Sequence, residues 1–233
     1  MSRIHEDDIR KFHPDPEGME REIGLIEEKE KRGPLLAIIA VFILMLFVLM
    51  IIPHYSVKMN PEPQKIPKLD EVLTDRNFSF NTYEYENPYD MPQFVESKDP
   101  TVKGVADRIA TQSCPEGGRI CHAKAMFYFV RDNFEYVNDP ARYEYVKTAK
   151  ESFLNHGGDC DDASVLLATL EEAVGVPARF IFIPGHVYVQ IFLPEAPARY
   201  KQEGWISLDP TCQSCGFGEV PYKNIGADNR VVG

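Results

Sequence analysis

Gly157-Gly158-Asp159-Cys160-Asp161-Asp162 is the stretch on which the reading of this 233-residue chain turns. It stands at the mouth of a predicted helix, Asp161 to Gly175, in which Ala163, Leu166, Leu167 and Leu170 recur at near-helical spacing. A cysteine at a helix start sits among backbone N–H groups without helical partners, in the positive end of the macrodipole. Both effects favour thiolate over thiol, and thiolate is the reactive form. The two glycines let the backbone turn sharply and leave the sulfur uncovered. A buried structural cysteine needs no such approach.

Two further pieces follow. Val187 to Leu193 reads as a strand, with His186 at its entrance after Pro184-Gly185. Gly204 to Leu208 reads as a second strand, ending in Asp209-Pro210-Thr211. A nucleophile at a helix start, a histidine on one strand and an aspartate on the next make the arrangement of cysteine acyl-transfer chemistry.

GGDCDDAS, VGVPARF, PGHVYVQIFL and GWISLDPT, in that order, resemble the transglutaminase-like core, a relative of papain-type cysteine peptidases, over roughly residues 123–211. The resemblance implies an α+β fold with the nucleophile on a helix N-terminus packed on an antiparallel sheet. It implies a cysteine peptidase or amidase acting on a protein or peptide substrate. Cys160 is then the nucleophile, His186 the general base and acid, and Asp209 the group that orients the imidazole. The sulfur attacks an amide carbonyl, a thioester forms, and water or an amine resolves it. Hydrolysis is the leading expectation; cross-linking and a non-catalytic peptide-binding module are the alternatives. The N–H of Cys160 supplies half of an oxyanion hole. Tyr136 and Tyr143 are candidates for the other half, with packing as the competing role of each. Asp161 and Asp162 read as first-turn acids that suit the helix dipole. His156 reads as solvated, with a place in the cleft as its alternative; His122 beside Cys121 is a weak metal candidate, and no calcium loop is present.

The remainder of the chain is read outward from that core. The net charge of −11 argues against a nucleic-acid partner, which needs a basic face. Residues 1–33 are charged and polar and read as a cytoplasmic tail, with a short helix from Met19 to Arg32. Leu35 to Ile52 carries no polar side chain, so 34–53 reads as a transmembrane helix. A cleaved signal peptide is the alternative, but its apolar run is shorter, and no A-x-A pattern follows this one. Lys29, Lys31 and Arg32 precede the span while only Lys58 stands close behind it. The positive-inside rule then keeps the N-terminus cytoplasmic and the larger part extracytoplasmic. Residues 54–75, with Pro61, Pro63 and Pro67, read as an extended linker, and 76–233 as the transglutaminase-like domain.

Within that domain Phe78, Phe80, Tyr83 and Tyr85 suggest an edge strand or strap. Helices are predicted from Asp99-Pro100-Thr101 to Ser113 with Thr101 as cap, over His122–Tyr136, and over Thr148–Asn155. A short edge strand is expected near Val220. Cys114, Cys121, Cys212 and Cys215 fall into two close pairs and leave Cys160 alone. Outside the cell they read as disulfides, with Cys114–Cys121 and Cys212–Cys215 the simplest connectivity and crossed pairings left open. The competing reading is a four-cysteine zinc site, the one metal cofactor the sequence leaves open.

Overall fold

A two-residue turn decides where the histidine goes. Pro184-Gly185, with Gly185 at φ +71°, joins strands β3 (Ala178–Ile183) and β4 (His186–Phe192), so that His186 is the first residue of β4, paired with Ile183. Glycine is favoured there because that backbone region crowds a Cβ. This computed structural model describes residues 16–74, 78–80, 87–139 and 145–233, with backbone alone at 16–33, 53, 54, 56, 57 and 222. Tyr83, Tyr85 and Tyr143 therefore lie outside the described residues.

Residues 1–55 and 56–233 form separate compact units. Of the first, the described part is a helix. Helix α1 spans Pro16–Met59, so it passes through Pro53, which was expected to end it. Within it Pro34–Ile52 has a mean hydropathy of 3.5 and no buried side chains, which is long and apolar enough to cross a membrane. A signal sequence passes the same test.

The second unit is mixed helix and sheet. Five antiparallel strands run in the order β5 (Lys201–Gln202), β6 (Trp205–Leu208), β4, β3, β7 (Arg230–Val232). The edge strand expected near Val220 is instead β7, which pairs Phe180 with Val232. A second, two-stranded parallel sheet joins β1 (Glu135–Tyr136) to β2 (Gly157–Gly158). Helix α6 (Cys160–Ala173) lies at the centre, packed on β4 and β3 and on α3 (Pro100–Ser113), α4 (Arg119–Asn133) and α5 (Ala149–Asn155). Val165, Leu167 and Leu170 of α6 are fully buried, each contributing roughly 1.5–3 kcal/mol of transfer free energy. That burial fixes the axis on which Cys160 is carried.

Three local expectations change. Asp99, not Thr101, caps α3: its carboxylate accepts the N–H of Thr101 at 2.8 Å and of Val102 at 3.3 Å. Lys150 on α5 donates to the same carboxylate at 2.7 Å, so the cap also ties two helices together. The proline-rich stretch is not a free spacer. Asn60 accepts from Lys124 at 2.9 Å, Glu62 pairs with the same ammonium, and Leu69 and Val72 of α2 (Leu69–Val72) join the core. Lys124 is fully buried, and its charge lies over the rings of Tyr200 and Phe217. A buried ammonium needs such partners, and the segment supplies two.

Finally, the four paired cysteines form two disulfides, Cys114–Cys121 and Cys212–Cys215. The zinc reading falls, because sulfurs bonded to each other are no longer thiolate ligands.

Candidate active site

The mouth of α6 is built by carboxylates. Asp159 is its N-cap, accepting the N–H of Asp161 at 3.2 Å, and Asp162 answers by accepting the N–H of Asp159 at 3.3 Å. Asp162 also accepts the N–H of Lys147 at 2.7 Å and pairs with its ammonium. Both acids stand in the first turn, as expected, and both are buried there: Asp161 is 7% exposed and Asp162 fully buried. Lys147, fifteen residues upstream, is the partner that the local pattern could not reveal.

The glycines answer to crowding rather than to turning, since neither Gly157 nor Gly158 adopts a positive φ. A Cβ on Gly157 would stand 2.8 Å from the Glu135 carbonyl, and one on Gly158 would run into the Asp162 carboxylate. Only glycine lets β2 lie between β1 and the helix mouth.

Cys160 and His186 line one cleft of about 650 Å³, together with Tyr136, Asn138, Asp159, Asp161, Phe182 and Val187. Across it stands Tyr89, from the 3₁₀ turn Pro88–Phe94, with its ring edge-on to Phe182 at 5.1 Å and beneath the guanidinium of Arg230 at 3.7 Å. Sequence reading missed this aromatic wall, because its members lie about ninety residues apart along the chain. The backbone N–H of Val187 bonds to the Cys160 sulfur, which brings the sulfur to the strand that His186 opens.

Strand pairing supplies the carboxylate. Val189 pairs with Leu208, so Asp209 comes one residue beyond, at the level of the histidine end of β4. His186 Nε2 lies 2.8 Å from Asp209 Oδ2. Thr211 gives the other oxygen its N–H at 3.1 Å and its hydroxyl at 2.7 Å. An aspartate bonded to the N–H two residues on is an Asx turn, a signal that Asp209-Pro210-Thr211 did carry. The disulfide turn that follows is held to α4, where Arg131 donates to the Cys215 carbonyl at 2.8 Å. His156, by contrast, is exposed and serves as the left-handed C-cap of α5.

The electrostatics divide. Burial raises the Cys160 thiol, Asp159 and Asp161 add to it, and the N–H groups of Val187 and Cys160 oppose them without prevailing; the thiol stands at about 11. The expected helix-start depression is outweighed, because desolvation disfavours the charged sulfur and its carboxylate neighbours do the same. Burial and Asp159 likewise raise the Asp161 carboxyl to about 9. Burial raises Asp162 to about 6 against the pull of Lys147. Burial also acts to raise Asp209, but hydrogen bonds from His186 and Thr211 hold it below the usual carboxylate range. Oxygens of Asp159, Asp161 and Asp162 lie within 4.8 Å of one another. Their lone pairs already serve the cap, the Asp162 N–H and Lys147, so the cluster fits a hydrogen-bonded network better than a cation cage.

Residues 103–210 match the family model of the transglutaminase-like superfamily. No curated protein matches the chain. Solved structures that resemble it include a candidate cysteine protease from Cytophaga hutchinsonii (18% identity, 53% of this chain and 43% of that one, TM-score 0.37). A candidate protease from Parabacteroides distasonis (12%, 52% and 25%, TM-score 0.40) and Legionella pneumophila LapG (17%, 66% and 78%, TM-score 0.37) resemble it as well. The chain spans less than half the length of the first two.

Proposed function

We propose, from the premise that residues 103–210 belong to the transglutaminase-like superfamily, that the protein is a membrane-anchored cysteine enzyme hydrolysing peptide or isopeptide amide bonds. One observation carries the reading: an imidazole bonded to a buried carboxylate at 2.8 Å shares a cleft with a lone cysteine.

With Nε2 engaged by Asp209, Nδ1 is the ring nitrogen left for the sulfur. Since the thiol stands at about 11, it enters the reaction protonated. As the sulfur attacks the carbonyl carbon, its proton passes to Nδ1, and the Asp209 carboxylate balances the imidazolium. Nδ1–H then protonates the leaving nitrogen and the thioester forms. Water, deprotonated by the same nitrogen, releases the acid.

The span at 34–52, the excess of Lys29, Lys31 and Arg32 on its N-terminal side, and two disulfides support a cytoplasmic N-terminus and an extracytoplasmic domain. Reporter fusions at both ends of the chain check this; a C-terminus reporting from the cytoplasm overturns it.

The protonated thiol favours one second reading, a cleft that grips a peptide without cutting it. The full chain in detergent, incubated with a mixed peptide library and methylamine, separates the outcomes by mass spectrometry. New termini with wild type, absent with Cys160→Ala, are expected. Methylamine adducts on glutamine mean cross-linking chemistry instead. Peptides retained uncut by both proteins mean the binding module.

A further inference from the structure

The cleft contains a phenol that core packing does not explain. Tyr136 is held from both sides by backbone pairing: Glu135 N–H donates to His156 at 2.9 Å, Val137 N–H donates to Gly158 at 2.7 Å, and Tyr136 itself pairs with Gly158. Gly158 is two residues before Cys160, so the phenol is registered to the nucleophile by a short hydrogen-bonded path rather than by a loop. Strand alternation sends Glu135 and Val137 to one face, where they crowd Gly157, and leaves Tyr136 on the other, where it lines the cleft with Cys160 and His186. The residue is 52% exposed. Among the described residues its hydroxyl has no hydrogen-bond partner.

We infer that Tyr136 is a catalytic residue: its hydroxyl is the second donor, beside the Cys160 N–H, to the oxyanion formed when the sulfur attacks a carbonyl. The inference rests on the reaction proposed above. In the attack the S–C bond forms, the carbonyl π pair moves to oxygen, and the thiol proton goes to His186 Nδ1. The oxygen then accepts hydrogen bonds from the Tyr136 O–H and the Cys160 N–H. On collapse the oxygen pair re-forms the carbonyl, the C–N bond breaks, and the proton on Nδ1 leaves with the nitrogen. No other reactant is needed.

Two physical points support a donor here. Burial, and then the charges of Cys160, Asp159, Asp161 and Asp209, raise the phenol above its ordinary range, so it keeps its proton. The same acidic surroundings oppose a new negative charge, so an oxyanion in this cleft depends on directed donors more than one in a neutral site does.

Two small reagents test this on the full chain in detergent at pH 9. p-Nitrophenyl acetate acylates the sulfur through a tetrahedral oxyanion; iodoacetamide alkylates it by displacement, with no oxyanion. Tyr136→Phe should slow acylation by about 10²-fold and leave alkylation within about twofold. Equal acylation by Tyr136→Phe and wild type overturns the inference and leaves the hydrolase reading standing. A parallel fall in alkylation also overturns it, since Tyr136 would then act on the sulfur itself. A wild type that is alkylated but not acylated at Cys160 removes both the hydrolase reading and the inference.

Discussion

Asp161 at the mouth of α6 and Asp209 at the end of β6 are the same residue type, 7% and 1% exposed, yet they stand on opposite sides of the ordinary carboxylate range. Burial pushes both upward, so burial cannot be the difference. Asp209 receives donors from His186 and Thr211, which stabilise its charge. Asp161 faces Asp159, which does the opposite. The cleft thus has a protonated end, which includes the Cys160 thiol, and an ionised end built around the imidazole. What separates them is the supply of hydrogen-bond donors, and in the reaction proposed above this division makes the proton transfer from sulfur to Nδ1 a step of the attack rather than a resting condition.

The largest test of that contrast is the pH profile of Cys160 alkylation. A thiol at about 11 should label about 10³-fold faster at pH 10 than at pH 7, with no plateau between. A plateau near neutrality would mean a resting thiolate–imidazolium pair and would erase the protonated end.

Next come the two aspartates themselves. Asp209→Asn should lower turnover by between about 10² and 10⁴, because it removes the charge that balances the imidazolium. Asp161→Asn replaces a neutral acid with a neutral amide and should stay within about threefold. Equal losses in steady-state kinetics would break the comparison.

Stability against pH sharpens it further. Asp161 has a folded-state value above its unfolded one, so the folded state holds the extra proton and stability falls as pH rises from about 4 toward about 9. Asp209 is displaced the other way, so its contribution is lost only as pH falls below the ordinary carboxylate range. Thermal midpoints should decline between pH 5 and pH 8, and Asp161→Asn should flatten that decline. A decline unchanged by the substitution refutes the assignment to Asp161.

The smallest effect concerns the far end of α6. Glu171 is fully buried, neither carboxyl oxygen has a hydrogen-bond partner, and burial raises its carboxyl well above the ordinary range. Replacing an unsatisfied buried polar group with an apolar one of similar length removes its desolvation penalty. Glu171→Met should therefore raise the melting temperature by about 4 °C, with activity unchanged, as differential scanning fluorimetry with a parallel assay would show. A lower melting temperature would mean that the carboxyl has a stabilising role at that helix end.

Much of the fold was legible beforehand because its signals are local. The apolar spacing of α6, the alternation of β4 and the Pro184-Gly185 turn depend on near neighbours, and each element formed within a residue or two of its expected bounds. The same holds for the run at 34–52 as a long apolar helix. The Thr101 cap, the edge strand near Val220 and the extended linker were missed where two local solutions were open and distant partners chose between them. Asp99 won the cap with Lys150 behind it, and Lys124 drew Asn60 and Glu62 onto the domain.

The order of residues along the chain was enough to nominate a sulfur, an imidazole and a carboxylate, because motif spacing and element type are properties of the polymer. The displaced proton affinities of Cys160, Asp161 and Asp209 were not legible in that order, nor was the ring nitrogen of His186 that meets Asp209. Those depend on which groups exclude water and which donors arrive from far along the chain. Desolvation and long-range hydrogen bonds have no signature in neighbouring residues, so only the packed tertiary structure decided them.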